Sequence, residues 1–191
     1  MEKQSVLSDF VLALEKREFV VYYQPKVNIQ GQTIYGAEAL VRWIRDGEIV
    51  PPIRFIPLLE QEGSIVALDY YVLEEVCRWL KKRMDEGQKP LCISVNFSRK
   101  HLQEENLVEH IVAIIDRYQI DHRYIEIELT ESEEYQNFEM MTKLVGELKA
   151  NGISTSMDDF GTGFSSLNMI KNVDLKVIKI DKSFIPLETE Y

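Results

Sequence analysis

The hydrophobic and polar positions of this chain predict short strands that alternate with amphipathic helices. In four segments apolar residues recur every three or four positions, the spacing of a buried helix face. These segments are residues 7–14, 55–80, 107–118 and 138–148. The strands are six apolar stretches with the sequences FVVYYQPKV, TIYGAEALVRW, LCISVNF, YIEIELT, ISTSMDD and VIKID. Their alternation with helices predicts an α/β fold with a parallel sheet, either open or closed into a barrel.

The first two helical segments carry specific expectations. The first is expected to bury one face, which comprises Leu7, Phe10, Val11 and Leu14. The second is expected to break at Gly63, because glycine readily adopts the conformation that ends a helix. With about six strands in 191 residues, the chain is short for a full (β/α)₈ barrel, which typically needs roughly 250 residues.

Length, charge and cysteine content predict one acidic domain over residues 1–191. The chain has 22 Lys and Arg against 32 Asp and Glu, a net charge of −10. Proteins that coat DNA or membrane surfaces need clustered basic residues, so we expect neither partner. No run reaches the roughly 18 to 20 apolar residues of a membrane span, and the first residues lack a signal peptide's apolar core. Cys77 and Cys92 fit neither a disulfide framework nor a CxxC metal motif, and we expect a cytoplasmic location.

Five successive strands each place a polar side chain on one face near the carboxyl end. Side chains alternate faces along a strand, which assigns these residues to a common face: Glu38, Asn96, Glu128, Asp158 and Lys179. In parallel α/β folds ligands bind at this end of the sheet. Carboxylate and amide oxygens suit Mg²⁺ or Mn²⁺ rather than zinc. Asp159 is expected where the strand ends and the chain turns, so that both neighbouring carboxylates can reach a two-metal site.

A structural interpretation competes with this metal site. Any one of these polar residues alone is more often a solvated strand end or a member of a core ion pair. Glu126 shares the face of Glu128, so not every carboxylate on that face can be a ligand. The agreement of five strands favours the metal site, since isolated buried charges are costly unless they are paired or hold metal.

Seven segments of the chain match a known family in order and spacing. They are YQP, EALVRW, FIPLLE, VNFS, IELTES, DDFGTGFSSL and KIDKSFI, and they extend over roughly residues 5 to 187. This pattern resembles the EAL-domain family, bacterial phosphodiesterases that cleave cyclic di-GMP to linear pGpG. The resemblance implies a TIM-like (β/α) barrel and a site for two Mg²⁺ or Mn²⁺ ions. A water held between two such ions attacks phosphorus in line with the leaving 3′ oxygen.

The resemblance also implies roles for single residues. Ligands of the first metal would be Glu38, Asn96, Glu128 and Asp158, and those of the second Asp158 and Asp159. Lys179 matches the lysine that orients the attacking water, and Asp181 matches its supporting carboxylate. Glu131 matches the glutamate that anchors the loop after Asp159. Three further positions match residues beside the dinucleotide, Arg42 at a phosphate, Gln24 near a guanine, and Leu40.

The chain departs from the family pattern after KIDKSFI. Two further strands of the family normally supply a glutamate near the second metal and a glutamine near the water, and neither has a counterpart before Tyr191. We therefore expect a barrel that is incomplete at its C-terminus, either because the chain is truncated or because it is a natural short form whose open sheet edges a homodimer partner covers. Phe164 replaces a tyrosine of the family's loop, a mild change. His101 and His122 are expected at the surface and His110 partly exposed on a helix; none matches a ligand.

Three classes of function follow from the sequence. The first is a metal-dependent phosphodiesterase that acts on cyclic di-GMP. The second is a catalytically impaired module that binds the nucleotide and regulates, and the third is a scaffold without a ligand. On geometry alone, a different metal-dependent barrel hydrolase is also open. Family members often carry GGDEF, receiver or sensory domains upstream, so the chain can belong to a larger regulator.

Overall fold

A computed structural model describes residues 3–130, 138–160 and 173–180. Its strands are β1 (Phe19–Asn28), β2 (Thr33–Arg45), β3 (Glu48–Val50), β4 (Cys92–Phe97), β5 (Ile125–Thr130), β6 (Ser154–Phe160) and β7 (Val177–Ile180). Its helices are α1 (Lys3–Glu15), α2 (Ile56–Glu62), α3 (Ile65–Asp85), α4 (Leu107–Arg117) and α5 (Phe138–Ala150). Within these ranges, no helix combines the length and the apolar character needed to cross a membrane.

The strands form one sheet in the order β1-β2-β4-β5-β6-β7. β1 and β2 are antiparallel, whereas each following pair along this path is parallel. The predicted α/β fold of about six strands is confirmed, but β1 and β2 follow each other without a helix between them and depart from the predicted parallel pairing. β3, which pairs with the end of β2, was not predicted. Asp46 and Gly47 link β2 to β3 with φ values of 51° and 84°, and two positive φ values are typical of a two-residue hairpin turn.

The predicted helix break at Gly63 is confirmed. α2 ends at Glu62, and Gly63 follows with a φ of 78°, the left-handed conformation that glycine adopts without steric cost. α3 begins two residues later and buries the stripe that includes Leu68, Val72 and Val76. It packs against α4 and against β4.

The two faces of the sheet differ in polarity, as the period-two pattern predicts. One face carries buried apolar residues, among them Ile93, Val95, Ile127 and Met157, and forms the core with the helices. The other face carries the polar residues that alternate with them. Glu126, Glu128, Ser94 and Ser156 are all buried there. The polar and charged side chains of the sheet therefore lie on the face opposite the one that packs against the helices.

Two predictions about burial were wrong. Val11 was expected in the core, but it is 58% exposed, and Ala13 is buried on α1 beside Phe10 instead. His101 was expected at the surface, but it is only 2% exposed. Its ring nitrogens lie 3.1 Å from Asp69 Oδ2 and 2.6 Å from Glu104 Oε1. Asp69 lies on α3, so the burial of His101 depends on a contact distant in sequence.

The other two histidines lie closer to the surface. His110 is exposed on α4, and His122 is partly exposed where it contacts Asp116 and the carbonyl oxygen of Asn151. Neither lies in the carboxylate cluster described below.

Candidate metal centre and nucleotide site

Three carboxylates converge at the carboxyl ends of neighbouring strands. Glu38 comes from β2, Glu128 from β5 and Asp158 from β6, and each offers one oxygen within 4.8 Å of the others. Asn96 lies on β4, which is between β2 and β5 in the sheet, and it pairs in register with Glu128. Its side-chain amide donates a hydrogen bond of 3.2 Å to Glu38 Oε1. The structure thus brings together the four residues predicted as ligands of the first metal.

Lys179 of β7 places its ammonium among the same three carboxylates. It donates to Glu38 Oε2 at 3.0 Å and to Asp158 Oδ2 at 2.9 Å, and it also contacts Glu128 Oε1. The strand pattern had placed Lys179 on the face of this cluster, and the structure agrees. An ammonium held by three carboxylates marks a position at which the protein stabilises positive charge.

Burial shapes the charge states of this cluster. Glu128 is 0% exposed. Burial raises its pKa, the Lys179 ammonium opposes the rise, and the neighbouring Glu38 and Asp158 add to it, which brings the pKa to about 7. Burial alone would lower the pKa of Lys179, but hydrogen bonds to the three carboxylates outweigh it and raise that pKa. Lys179 therefore remains protonated, whereas Glu128 exchanges its proton near neutral pH.

The donor set fits a hard divalent cation. The cluster offers carboxylate oxygens and, beside them, the side-chain amide of Asn96, without a described cysteine or histidine ligand. Such oxygen-only sets are typical of Mg²⁺ and Mn²⁺ sites. The Lys179 ammonium already lies among the three carboxylates, so the electrostatic potential of the cluster favours a cation.

A second ionic network lies beside the first and was missed in the sequence. The Lys26 ammonium of β1 lies 3.1 Å from Glu126 Oε1 and also contacts Ser94 Oγ. The Ser94 hydroxyl donates to the same Glu126 oxygen at 2.6 Å. Burial would raise the pKa of Glu126, but the Ser94 hydroxyl and Lys26 outweigh it and lower that pKa. Glu126 is thus a member of a buried ion pair with Lys26, one of the structural roles that the sequence left open for carboxylates on this face.

The predicted nucleotide-contacting residues lie around the cluster. Gln24 is exposed and pairs directly opposite Glu38 across the β1–β2 ladder. Leu40 and Arg42 line a cavity of about 130 Å³ whose wall also includes Asn96. The Arg42 guanidinium donates to the carbonyl oxygen of Val41 at 2.8 Å. These positions suit contacts with a ligand at the mouth of the site, and their roles stay predictions.

Other predicted positions lie outside the described residues. These are Glu131, Phe164, Asp181 and the side chain of Asp159. A strand end at Asp159 was expected, whereas β6 continues to Phe160. The pairing of β6 with β7 shifts register between Met157 and Phe160.

Comparison with known proteins identifies the class of this chain. The EAL domain family model matches residues 8–190. The chain therefore belongs to the EAL domain family, and the resemblance seen in the sequence is confirmed. Its solved relatives share the fold closely. A complex of the MucR phosphodiesterase with c-di-GMP has a TM-score of 0.86 at 34% identity, over 94% of this chain and 73% of that one.

Curated relatives include signalling proteins from several bacteria. The chain is 35% identical over 185 residues to MucR of Pseudomonas aeruginosa, a bifunctional diguanylate cyclase/cyclic di-GMP phosphodiesterase. The matched region is 96% of this chain and 27% of that protein. It is 34% identical over 178 residues to PdeB of Escherichia coli, a probable cyclic di-GMP phosphodiesterase, over 91% of this chain and 33% of PdeB. The chain thus spans about a third or less of these relatives. The FimX EAL domain of Xanthomonas citri is 19% identical to this chain. The matched region is 95% of this chain and 70% of the FimX domain, and the TM-score of 0.84 supports the fold alone.

Proposed function

We propose that this chain is a metal-dependent phosphodiesterase that hydrolyses cyclic di-GMP to linear pGpG in bacterial second-messenger signalling. The observation that carries the proposal is the convergence of Glu38, Glu128 and Asp158 on one position, with the Lys179 ammonium among them. Membership of the EAL domain family supports the reaction, and relatives named as cyclic di-GMP phosphodiesterases support the substrate.

Glu38, Asn96, Glu128 and Asp158 would hold a first Mg²⁺ or Mn²⁺, with Asp158 and Asp159 at a second. Bound divalent ions lower the pKa of a water and neutralise the phosphate that it attacks. Negative charge from the protein alone would repel this substrate, since the chain carries a net charge of −10.

Lys179 would act on the attacking water. Its ammonium keeps its proton, because three carboxylates raise its pKa. With a divalent ion on the same oxygens, Lys179 would exchange some of its contacts with them for hydrogen bonds to water. Asp181 would support Lys179, and Glu131 would anchor the loop after Asp159.

Arg42, Gln24 and Leu40 would bind the dinucleotide. Arg42 offers the planar fork that matches a phosphate. Its guanidinium lies beside the Tyr22 ring, 5.7 Å from the ring centroid, which restrains it at the mouth of the site. Gln24 would contact a guanine, and Leu40 would line the site next to Arg42.

The test is incubation of the protein with cyclic di-GMP and Mg²⁺ or Mn²⁺, with products separated by chromatography. We expect pGpG that requires the metal and is lost in Glu38→Gln, which keeps the size of the side chain and removes its charge. Glu48→Gln is the matched control, because Glu48 is an exposed carboxylate on β3. Folded wild-type protein that binds the nucleotide without forming product would contradict the proposal and favour a binding module.

The sequence also predicts a cytoplasmic homodimer within a larger regulator. Sedimentation analysis of the purified chain tests the dimer. A single species at the monomer mass, across a tenfold range of micromolar concentration, would contradict it.

A further inference from the structure

Lys26 links β1 to the carboxylates of β5 without belonging to the cluster of metal-binding candidates. Its side chain is 16% exposed, and its ammonium lies 3.1 Å from Glu126 Oε1 and 3.6 Å from Glu128 Oε2. Glu126 and Glu128 are two residues apart on one strand and therefore point to the same face. One ammonium thus faces two buried carboxylates, of which only Glu128 belongs to the cluster.

The two oxygens of Glu128 face different ammonium groups. Oε1 contacts Lys179, which also contacts Glu38 and Asp158. Oε2 is buried and has no hydrogen-bond partner among the described residues, and Lys26 forms an ion pair with it. The carboxylate is therefore held by two ammonium groups, Lys179 at one oxygen and Lys26 at the other.

Metal binding would change these two contacts differently. A divalent ion would take the oxygens that Lys179 now contacts, whereas Lys26 contacts the other oxygen of Glu128. Lys26 can therefore keep its ion pair in both the metal-free and the metal-bound protein. A fixed cation behind a carboxylate restricts its rotation, as outer partners of metal ligands commonly do.

We propose that Lys26 is a positioning residue of the metal centre, which holds Glu128 Oε2 and thereby presents Glu128 Oε1 to the ion. The inference rests on the proposed function, since it requires the cluster to bind metal. The competing role is purely structural, in which Lys26 only neutralises the buried charge of Glu126. The two roles predict different affinities for the metal when Lys26 and Glu126 are neutralised together.

The test compares Mn²⁺ binding to wild type, Lys26→Met, Glu126→Gln and the double variant Lys26→Met/Glu126→Gln. The single variant Lys26→Met leaves the buried carboxylate of Glu126 without this cation and can fail to fold. The double variant removes one charge of each sign, so it keeps the charge balance and should fold. Isothermal titration calorimetry gives the affinity, and circular dichroism confirms that each protein is folded.

We expect the folded double variant to bind Mn²⁺ at least about tenfold more weakly than wild type, as loss of an outer partner typically causes. We also expect a changed electron paramagnetic resonance spectrum of the bound Mn²⁺, because that spectrum reports ligand geometry. A double variant that matches wild type in either readout would overturn the inference alone. Wild-type protein that binds no Mn²⁺ would overturn the proposed function together with the inference.

Discussion

Glu128 is the residue on which the chemistry of the site depends most. It is buried, it belongs to the carboxylate cluster, and it lies between the ammonium groups of Lys26 and Lys179. Burial and neighbouring carboxylates bring its pKa to about 7 against the opposing effect of Lys179. A proton and a divalent ion therefore compete for this side chain near neutral pH.

The first residue-scale prediction concerns pH. Below about pH 7 Glu128 holds a proton that a metal ion must displace, so we expect the affinity for Mn²⁺ to rise from pH 6 to pH 7 and to level off above. The raised pKa also means that neutral Glu128 stabilises the metal-free fold at low pH, and that this contribution is lost as the pH rises through 7. Calorimetric titrations at pH 6, 7 and 8 check the first point. An affinity that stays constant over this range would contradict it.

The second residue-scale prediction concerns Lys179. Its ammonium occupies the oxygens that a metal would use, so Lys179→Met should bind Mn²⁺ more tightly at pH 8, by about tenfold, because no charge-assisted hydrogen bonds have to be broken first. The same variant should lose turnover of cyclic di-GMP, because Lys179 would no longer act on water. Lys176→Met on the same segment is the control. Equal or weaker Mn²⁺ binding by Lys179→Met would show that the ammonium does not compete with the metal.

At the scale of elements, the close pairing of β2 with β4 sets the distance between Glu38 and Asn96. Gly36 permits this approach, because a Cβ at this position would lie 2.5 Å from the carbonyl oxygen of Cys92. The two residues are neighbours across the ladder, Gly36 opposite Cys92. A side chain here must push the strands apart.

Gly36→Ala is therefore expected to destabilise the protein by about 1–3 kcal/mol, the usual cost of an overpacked core position. Gly146→Ala is the matched control, since a Cβ on Gly146 of α5 meets no atom within 4 Å. Alanine favours a helix over glycine, so this control should stabilise by up to ~1 kcal/mol. Urea denaturation measures both. A Gly36→Ala variant as stable as wild type would mean that the strands adjust without cost.

The elements that could be predicted are those with long, regular periodicity. α3 and α4 carry repeated apolar positions, and the strands carry strict alternation, so fold class and site face followed from the sequence. β3 was missed because three residues are too few for a period. His101 and Lys26 were missed for another reason. Their contacts, with Asp69 and with Glu126, join residues that are 32 and 100 positions apart, and no local pattern encodes such pairs.

At the scale of the whole molecule, the carboxylates of the candidate metal centre lie on one face of a curved sheet. The opposite face is apolar and forms the core with the helices. Two lysines, Lys26 and Lys179, partly neutralise the carboxylates of the polar face. This separation lets the fold rest on its apolar core while the polar face supplies a cation site.

The most direct test of the metal centre is a crystal structure of the protein soaked with Mn²⁺, with anomalous diffraction used to locate the ion. We predict an anomalous peak bounded by Glu38, Glu128 and Asp158, with the Lys179 ammonium moved away from at least one of these carboxylates. A well-ordered cluster that shows no anomalous peak at saturating Mn²⁺, with Lys179 still in contact with all three, would contradict the proposed metal-dependent phosphodiesterase.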